Sequence, residues 1–106
     1  MDTIIENGKV IERLDEIQNL PRLTEKSVAY IKERAKSPEQ PFFLYVPLGS
    51  PHTPIVPTKE WQGKSGLGAY ADFVMQTDAT VGAIAAAIEE NGFAENTLLI
   101  FTSDNG

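Results

Sequence analysis

The chain has 106 residues, of which 42% are hydrophobic and 23% charged, and this length and composition predict one small ordered domain. The formal net charge of −6 argues against sequence-independent binding to nucleic acid or to an anionic membrane, because either partner requires clustered lysine and arginine. The absence of cysteine excludes disulfides, zinc–thiolate sites and thiol nucleophiles within these residues.

The first predicted element is a β-hairpin over residues 3–11. Asn7-Gly8 separates two short runs rich in β-branched residues, which is the strongest local pattern for a two-residue turn with positive φ. Residues 13–23 carry mixed charge and a proline and show no clean period. They are interpreted as a connecting segment.

A helix is predicted from Thr24, which serves as the N-cap, to the Ser37-Pro38 pair that ends the run. Its buried stripe is Val28, Ile31 and Ala35. The apolar run "PFFLYVPL" at residues 41–48 follows and is short enough to be a strand covered on both faces.

Residues 49–68 contain four glycines and three prolines and predict a long irregular loop, a feature that often carries function. A second helix follows, with apolar residues at spacings of three and four and an Asn91-Gly92 cap. Its predicted inward stripe is Tyr70, Phe73, Val74, Thr77, Val81, Ile84 and Ile88.

"NTLLIFTS" at residues 96–103 is a second unbroken apolar run and predicts another strand. A strand, a helical connection and a second strand form a βαβ unit, so the two strands are expected to be parallel. Ligands collect beyond the carboxyl ends of such strands. His52 comes after the first of these strands, and the tail residues Asp104 and Asn105 come after the second. We therefore expect all three to lie at that edge of the sheet and to share one cleft.

The residues themselves leave two interpretations open for each of these sites. A lone loop histidine such as His52 is more often a surface residue than a catalytic one. Asp104 and Asn105 supply hard oxygen donors suited to Ca²⁺ or Mg²⁺, but Asp-Asn-Gly is also an ordinary turn sequence. Lys64 is expected to be solvated, and Asp78 is either a buried acid that needs partners or a helix-surface residue.

Three blocks of the chain, in order, resemble the middle of a known enzyme family. "PFFLYVPLGSPHTPIVP", "GKSGLGAYADFVMQTDATVGAI" and "ENTLLIFTSDNG" are similar to the sulfatases, the formylglycine-dependent sulfuric ester hydrolases of the alkaline phosphatase superfamily. The resemblance spans at least residues 41–106, and the joint spacing of the blocks is more specific than any one of them.

The resemblance implies an α/β fold, here a fragment of the alkaline-phosphatase-like three-layer fold with a mostly parallel sheet, built from a βαβ unit plus the N-terminal hairpin and helix. It implies that Asp104 and Asn105 are ligands of a divalent cation, Ca²⁺ or Mg²⁺, and that His52 is a catalytic contact of the sulfate group. In such enzymes a hydrated formylglycine aldehyde attacks sulfur beside the metal.

The main departure from the family pattern is the nucleophile. Formylglycine is made from the Cys or Ser of a C/S-x-P-x-R motif, which neither Ser37-Pro38 nor Ser50-Pro51 fits. We therefore expect residues 1–106 to be the central segment of a sulfatase catalytic domain, without its N-terminal nucleophile part and its C-terminal part. This segment is expected to be inactive in isolation and to self-associate through unpaired sheet edges.

Two alternatives stay open at this point. One is a phosphonate or phosphodiester hydrolase of the same superfamily, and the other is a non-catalytic fragment that binds a cation or a partner. The expected substrate is a sulfate ester small molecule or a sulfated glycan, with no nucleic acid and no membrane as partner. The resemblance suggests a periplasmic, secreted or lysosomal full-length parent.

Overall fold

The computed structural model describes residues 1–105 as a β-hairpin, two long helices and a short 3₁₀ turn. In chain order these are β1 (Asp2–Glu6), β2 (Lys9–Leu14), α1 (Glu16–Arg34), α2 (Ala69–Glu90) and the turn Ala94–Asn96. The described part of the chain is thus a mixed α/β unit. Neither of its helices is long and apolar enough to cross a lipid bilayer.

The N-terminal hairpin is confirmed at its predicted turn. Asn7 and Gly8 have φ angles of 50° and 80°, and the flanking strands pair antiparallel. Glycine adopts such angles without a steric penalty, and asparagine does so more readily than most other residues. The inner face of the hairpin buries Ile4 and Leu14.

Helix α1 begins at Glu16 with Asp15 as its N-cap, nine residues before the predicted N-cap Thr24, and includes Pro21. The interpretation of residues 13–23 as a connecting segment is therefore wrong. Thr24 is not an N-cap, because its hydroxyl lies inside the helix and donates to the Leu20 carbonyl, as the Ser27 hydroxyl does to Leu23. Leu20, Ser27 and Ile31 are buried, so polar residues interrupt the apolar period along the inward face.

Helix α2 ends at the predicted Asn91-Gly92 cap. Gly92 has a φ of 80°, its amide donates to Glu89, and the Phe93 amide donates to the Ile88 carbonyl at 2.9 Å. This pair of bonds is a Schellman motif, which satisfies carbonyls that the helix leaves without partners. The apolar contact that accompanies the motif is also present, because Ile88 and Phe93 share one buried cluster.

The apolar core lies between the C-terminal halves of the two helices. Ile31 of α1 packs with Ala87, Ile88 and Phe93, and Phe42 covers them from the following segment. The rings of Phe42 and Phe93 meet edge to face, with their centroids 5.4 Å apart. This geometry is the preferred one for aromatic pairs.

The two apolar runs at residues 41–48 and 96–103 are not strands within residues 1–105, where the hairpin is the only sheet. The predicted parallel pairing is thus not formed by the described residues. Residues 41–48 still alternate strictly, since Phe42 and Leu44 pack on the core whereas Phe43 and Tyr45 are 88% and 75% exposed. This period of two is that of an extended backbone, whose successive side chains point to opposite sides.

Two glycines of similar exposure offer a matched test of this fold. We expect Gly92→Ala to lower the free energy of unfolding by roughly 1–2 kcal/mol, because an L-residue is strained at positive φ. Gly82→Ala, inside α2 with open space around an added Cβ, should instead raise it by up to about 1 kcal/mol. Urea unfolding followed by circular dichroism measures both. Equal effects of the two substitutions would contradict the assigned cap.

Candidate functional site

A row of buried polar side chains runs along the N-terminal half of α2. Asp72, Gln76, Thr77 and Thr80 are each 7% exposed or less. Spacings of four place Asp72, Gln76 and Thr80 on one helix face, with Thr77 beside them. We call these four residues the polar stripe. Buried polar groups need hydrogen-bond partners, and the partners of the first three lie in residues 49–68, which we call the His52 loop.

Asp72 holds the C-terminal part of the His52 loop. Its Oδ2 accepts from the Gly63 amide at 2.8 Å, and its Oδ1 accepts from the amide and the hydroxyl of Ser65 at 2.9 and 2.6 Å. The Ser65 hydroxyl, followed by the amides of Ser65 and Gly63, lowers the pKa of the Asp72 carboxyl, while burial acts in the opposite direction. A charged carboxylate with three donors therefore fixes the turn around Lys64.

Gln76 and Thr77 hold the part of the loop that carries His52. The Thr58 amide donates to Gln76 Oε1 at 3.0 Å, and the hydroxyls of Thr77 and Ser50 share a hydrogen bond of 2.8 Å. His52 thus lies between two attachment points on the same helix. Thr80, the last residue of the stripe, instead bonds Thr24 of α1 across the helix pair, at 2.8 Å.

The imidazole of His52 is exposed, and its Nδ1 is tied to its own loop. Nδ1 lies 2.9 Å from the Thr53 carbonyl oxygen and 3.2 Å from the Thr53 hydroxyl. A carbonyl oxygen can only accept, so the shorter contact favours a proton on Nδ1. Nε2 is then the nitrogen that remains available to a ligand.

His52 lines a cleft of about 290 Å³ between the His52 loop, the start of α1 and the first strand. Two carboxylates, Asp2 and Glu16, line it as well, and Glu16 pairs with the terminal ammonium of Met1 at 3.6 Å. This acidic lining disfavours an anion inside the cleft itself. An anionic ligand of His52 would approach from its solvent side.

The residues that line this cleft include neither Asp104 nor Asn105 of the C-terminal tail. Both tail residues are exposed, and the Ser103 hydroxyl donates to the Asn105 carbonyl. Within residues 1–105, no three acidic or histidine side chains are grouped so that they could hold a metal ion. A Ca²⁺ ion takes six to eight oxygen ligands, so the described residues suit a cation in kind but do not form a complete site.

The remaining residues singled out in the sequence have structural surroundings. Lys64 is exposed, with its ammonium 4.8 Å from the centre of the Trp61 ring, a cation–π contact. Asp78 is exposed, so the surface interpretation of this residue is the correct one. Tyr70 and Val74, predicted to face inward, are 59% and 41% exposed because the buried face of α2 is rotated toward the polar stripe.

Sequence reasoning missed Asp72, the acid with the largest number of hydrogen bonds in the described chain. A usable signal was present: an acidic residue in the first turn of a helix, directly after a loop rich in glycine and serine. Such loops expose backbone amides, and a carboxylate at the helix start is well placed to accept from them.

Asp72→Asn should lower the melting temperature at pH 7 by several degrees, because asparagine offers one acceptor oxygen where two carboxylate oxygens receive three hydrogen bonds. The pKa of Asp72 is lower in the folded state than in the unfolded state. Its contribution to the free energy of unfolding is therefore fully present above the unfolded pKa of about 3.9 and is lost as the pH falls through the folded pKa. Thermal melts from pH 7 to pH 3 should show that the difference in melting temperature between Asp72→Asn and the wild type narrows only below about pH 4.

Asp78→Asn is the control for this prediction, since Asp78 is an exposed acid on the same helix. Its melting temperature should follow that of the wild type throughout the pH range. An Asp72→Asn variant that behaves like Asp78→Asn would contradict the role of Asp72 in holding the His52 loop.

A family model for sulfatases matches residues 6–106. The chain is similar to an N-acetylgalactosamine-6-O-sulfatase of Bacteroides thetaiotaomicron, at 42% identity over 84 residues, which is 79% of this chain and 16% of that protein. It is similar to arylsulfatase A of Homo sapiens, at 37% identity over 90 residues, 82% of this chain and 18% of that protein. Arylsulfatase H of Homo sapiens is 33% identical over 103 residues, 97% of this chain and 18% of that protein. No solved structure matches significantly.

The chain spans between 16% and 18% of the length of these three relatives. The family model nevertheless covers nearly the whole chain, and each relative aligns with most of it at more than 30% identity. The chain therefore belongs to the sulfatase family.

Proposed function

We propose that the chain is the central segment of a sulfatase catalytic domain that hydrolyses sulfate esters, and that it contributes His52, Asp104 and Asn105 to the site. The match of the sulfatase family model to residues 6–106 carries this proposal. The family has an alkaline-phosphatase-like α/β fold, and the hairpin and two helices are a mixed α/β part of it.

His52 is proposed to contact the sulfate group through Nε2. The contact between Nδ1 and the Thr53 carbonyl supports this assignment, because it leaves Nε2 as the free nitrogen. A neutral ring would accept a proton there, and a charged ring would donate one to a sulfate oxygen. Positioned donors of this kind stabilise charge that develops in the transition state.

The positive charge that a sulfate ester needs must come largely from residues other than those beside His52. Asp2 and Glu16 make the adjoining cleft acidic. We therefore propose that the ester meets His52 on the side away from this cleft, where further parts of the longer protein supply cationic groups.

Asp104 and Asn105 are proposed as two ligands of a divalent cation, Ca²⁺ or Mg²⁺, completed by residues outside this chain. Their carboxylate and amide oxygens are of the type that these hard cations prefer. When bound, such a cation polarises the sulfate oxygens. The tail is exposed within residues 1–105, which leaves both side chains accessible to further ligands.

The nucleophile is proposed to lie in another part of the longer protein. The 106 residues contain neither cysteine nor a C/S-x-P-x-R motif, the source of formylglycine that the family resemblance implies. Residues 1–106 alone are therefore expected not to hydrolyse a sulfate ester.

Residues 41–48 and 96–103 are proposed to become neighbouring parallel strands in the complete domain. The alternating burial of residues 41–48 supports this, as does the exposure of Leu98, Ile100 and Phe101 at 85%, 72% and 69%. Apolar residues on both faces are typical of strands covered on both sides. Such pairing would bring His52 and the tail to the same sheet edge.

The experiment measures turnover of an aryl sulfate, with and without added Ca²⁺, by the protein encoded by the longest open reading frame that contains this chain. We expect His52→Ala to lower kcat/KM by about 10²-fold or more, the usual effect of removing a positioned proton donor or acceptor. Asn105→Ala should raise the Ca²⁺ concentration for half-maximal activity at least about tenfold, since even outer-shell partners cost that much.

Lys64→Ala is the control for cation dependence, because the Lys64 ammonium lies over Trp61 and is not among the proposed ligands. Its Ca²⁺ requirement should equal that of the wild type. The proposal fails if the long protein turns over no sulfate ester, or if His52→Ala leaves its kcat/KM unchanged.

A further inference from the structure

The exposed position of His52 raises the question of what fixes the direction of its ring. Among the described residues, its side chain makes polar contacts only with neighbouring Thr53, and its amide donates to Gly49 at 3.1 Å. All of these partners belong to the His52 loop. The ring therefore takes its orientation from the loop, and the loop takes its own from whatever holds it.

We propose that Thr77 and Gln76 are positioning residues for His52, which anchor the loop to α2 on either side of the histidine and so aim Nε2 at the substrate. This inference rests on the proposed function of His52. Neither residue is proposed to touch the substrate, because both are buried beneath the loop.

The anchoring residues are well suited to this role because they are themselves fixed. Thr77 is 7% exposed and its hydroxyl also contacts the Phe73 carbonyl at 2.8 Å, while Gln76 is 5% exposed. Both belong to a helix whose far end is packed in the apolar core through Ala87 and Ile88. A loop bonded to such a helix inherits its rigidity.

The bond nearest to the histidine is the one between Thr77 and Ser50, which lies two residues before His52. The bond between Gln76 and Thr58 lies six residues after it. Misplacement of a catalytic group by about 1 Å costs on the order of 10²-fold in rate. Loss of the Ser50 bond is therefore expected to act on turnover more than on folding.

Thr80 provides a matched control on the same helix. It is buried to a similar degree, at 4% exposed, but its hydroxyl bonds Thr24 of α1 and not the loop. Thr77→Val and Thr80→Val remove the same hydroxyl from the same kind of environment. Only the first of them removes a loop anchor.

The first test measures kcat, KM and melting temperature of these variants in the longest protein encoded around the chain. Thr77→Val should lower kcat for an aryl sulfate about tenfold or more with KM within about threefold, since the misaimed group acts in the transition state. Thr80→Val should lower the melting temperature to a similar extent and keep kcat within about twofold of wild type. Thr77→Ser, which keeps the hydroxyl, should restore kcat.

Ser50→Ala removes the same bond from the loop side and leaves Thr77 its contact with Phe73. It should reproduce the loss of kcat even if Thr77→Val does not fold. The inference would be overturned if Thr77→Val and Ser50→Ala both had the same kcat as Thr80→Val while His52→Ala abolished activity. That result would leave the proposed function of His52 intact.

A second test does not depend on catalysis. His52 is the only histidine in the sequence, so its ring gives one unambiguous set of NMR signals in the 106-residue chain. Thr77→Val should shift these signals or broaden them, whereas Thr80→Val should leave them at the wild-type position. Identical ring signals in the two variants would overturn the inference whatever the activity of the longer protein.

Discussion

The structure depends on the requirement that buried polar groups find hydrogen-bond partners. The polar stripe of α2 places a carboxylate, an amide and two hydroxyls in the interior, where an unmade hydrogen bond costs about 1–3 kcal/mol each. A loop of 20 residues without regular structure supplies most of the partners. The same bonds therefore satisfy the helix and give the loop a defined course.

The two halves of α2 are held by different combinations of forces. Its C-terminal half is fixed by apolar packing of Ala87 and Ile88 and by the Schellman motif around Gly92. Its N-terminal half buries Phe73 and adds directional hydrogen bonds to the loop and, through Thr80, to α1. Apolar packing tolerates small displacements, whereas hydrogen bonds specify position and direction. A site that needs an aimed side chain is better served by the second arrangement.

Features set by local sequence were predictable, and features set by partners were not. The Asn7-Gly8 turn and the Gly92 cap were confirmed because each depends on backbone angles that few residues adopt. The predicted start of α1 was wrong because Thr24 and Ser27 occupy inward positions, where an apolar period predicts hydrophobic residues.

The site shows the same division. The sequence singled out His52, Asp104 and Asn105, and their roles stay predictions. It did not show that Asp72 is buried, because the burial depends on the Gly63 and Ser65 amides of a loop with no regular pattern. The parallel pairing predicted for residues 41–48 and 96–103 is not formed within residues 1–105 and stays a prediction, because a strand is defined by its hydrogen-bonded neighbours and local sequence does not supply them. Both runs leave large apolar side chains exposed, among them Phe43 and Leu98.

Amide hydrogen exchange tests the central claim most directly, residue by residue. The amides of Thr58, Gly63 and Ser65 donate to side chains of the polar stripe, although they lie in a loop near the surface. The account predicts that these three exchange much more slowly than the amide of exposed Lys59 in the same loop. Exchange of all three at the rate of Lys59 would show that α2 does not hold the loop.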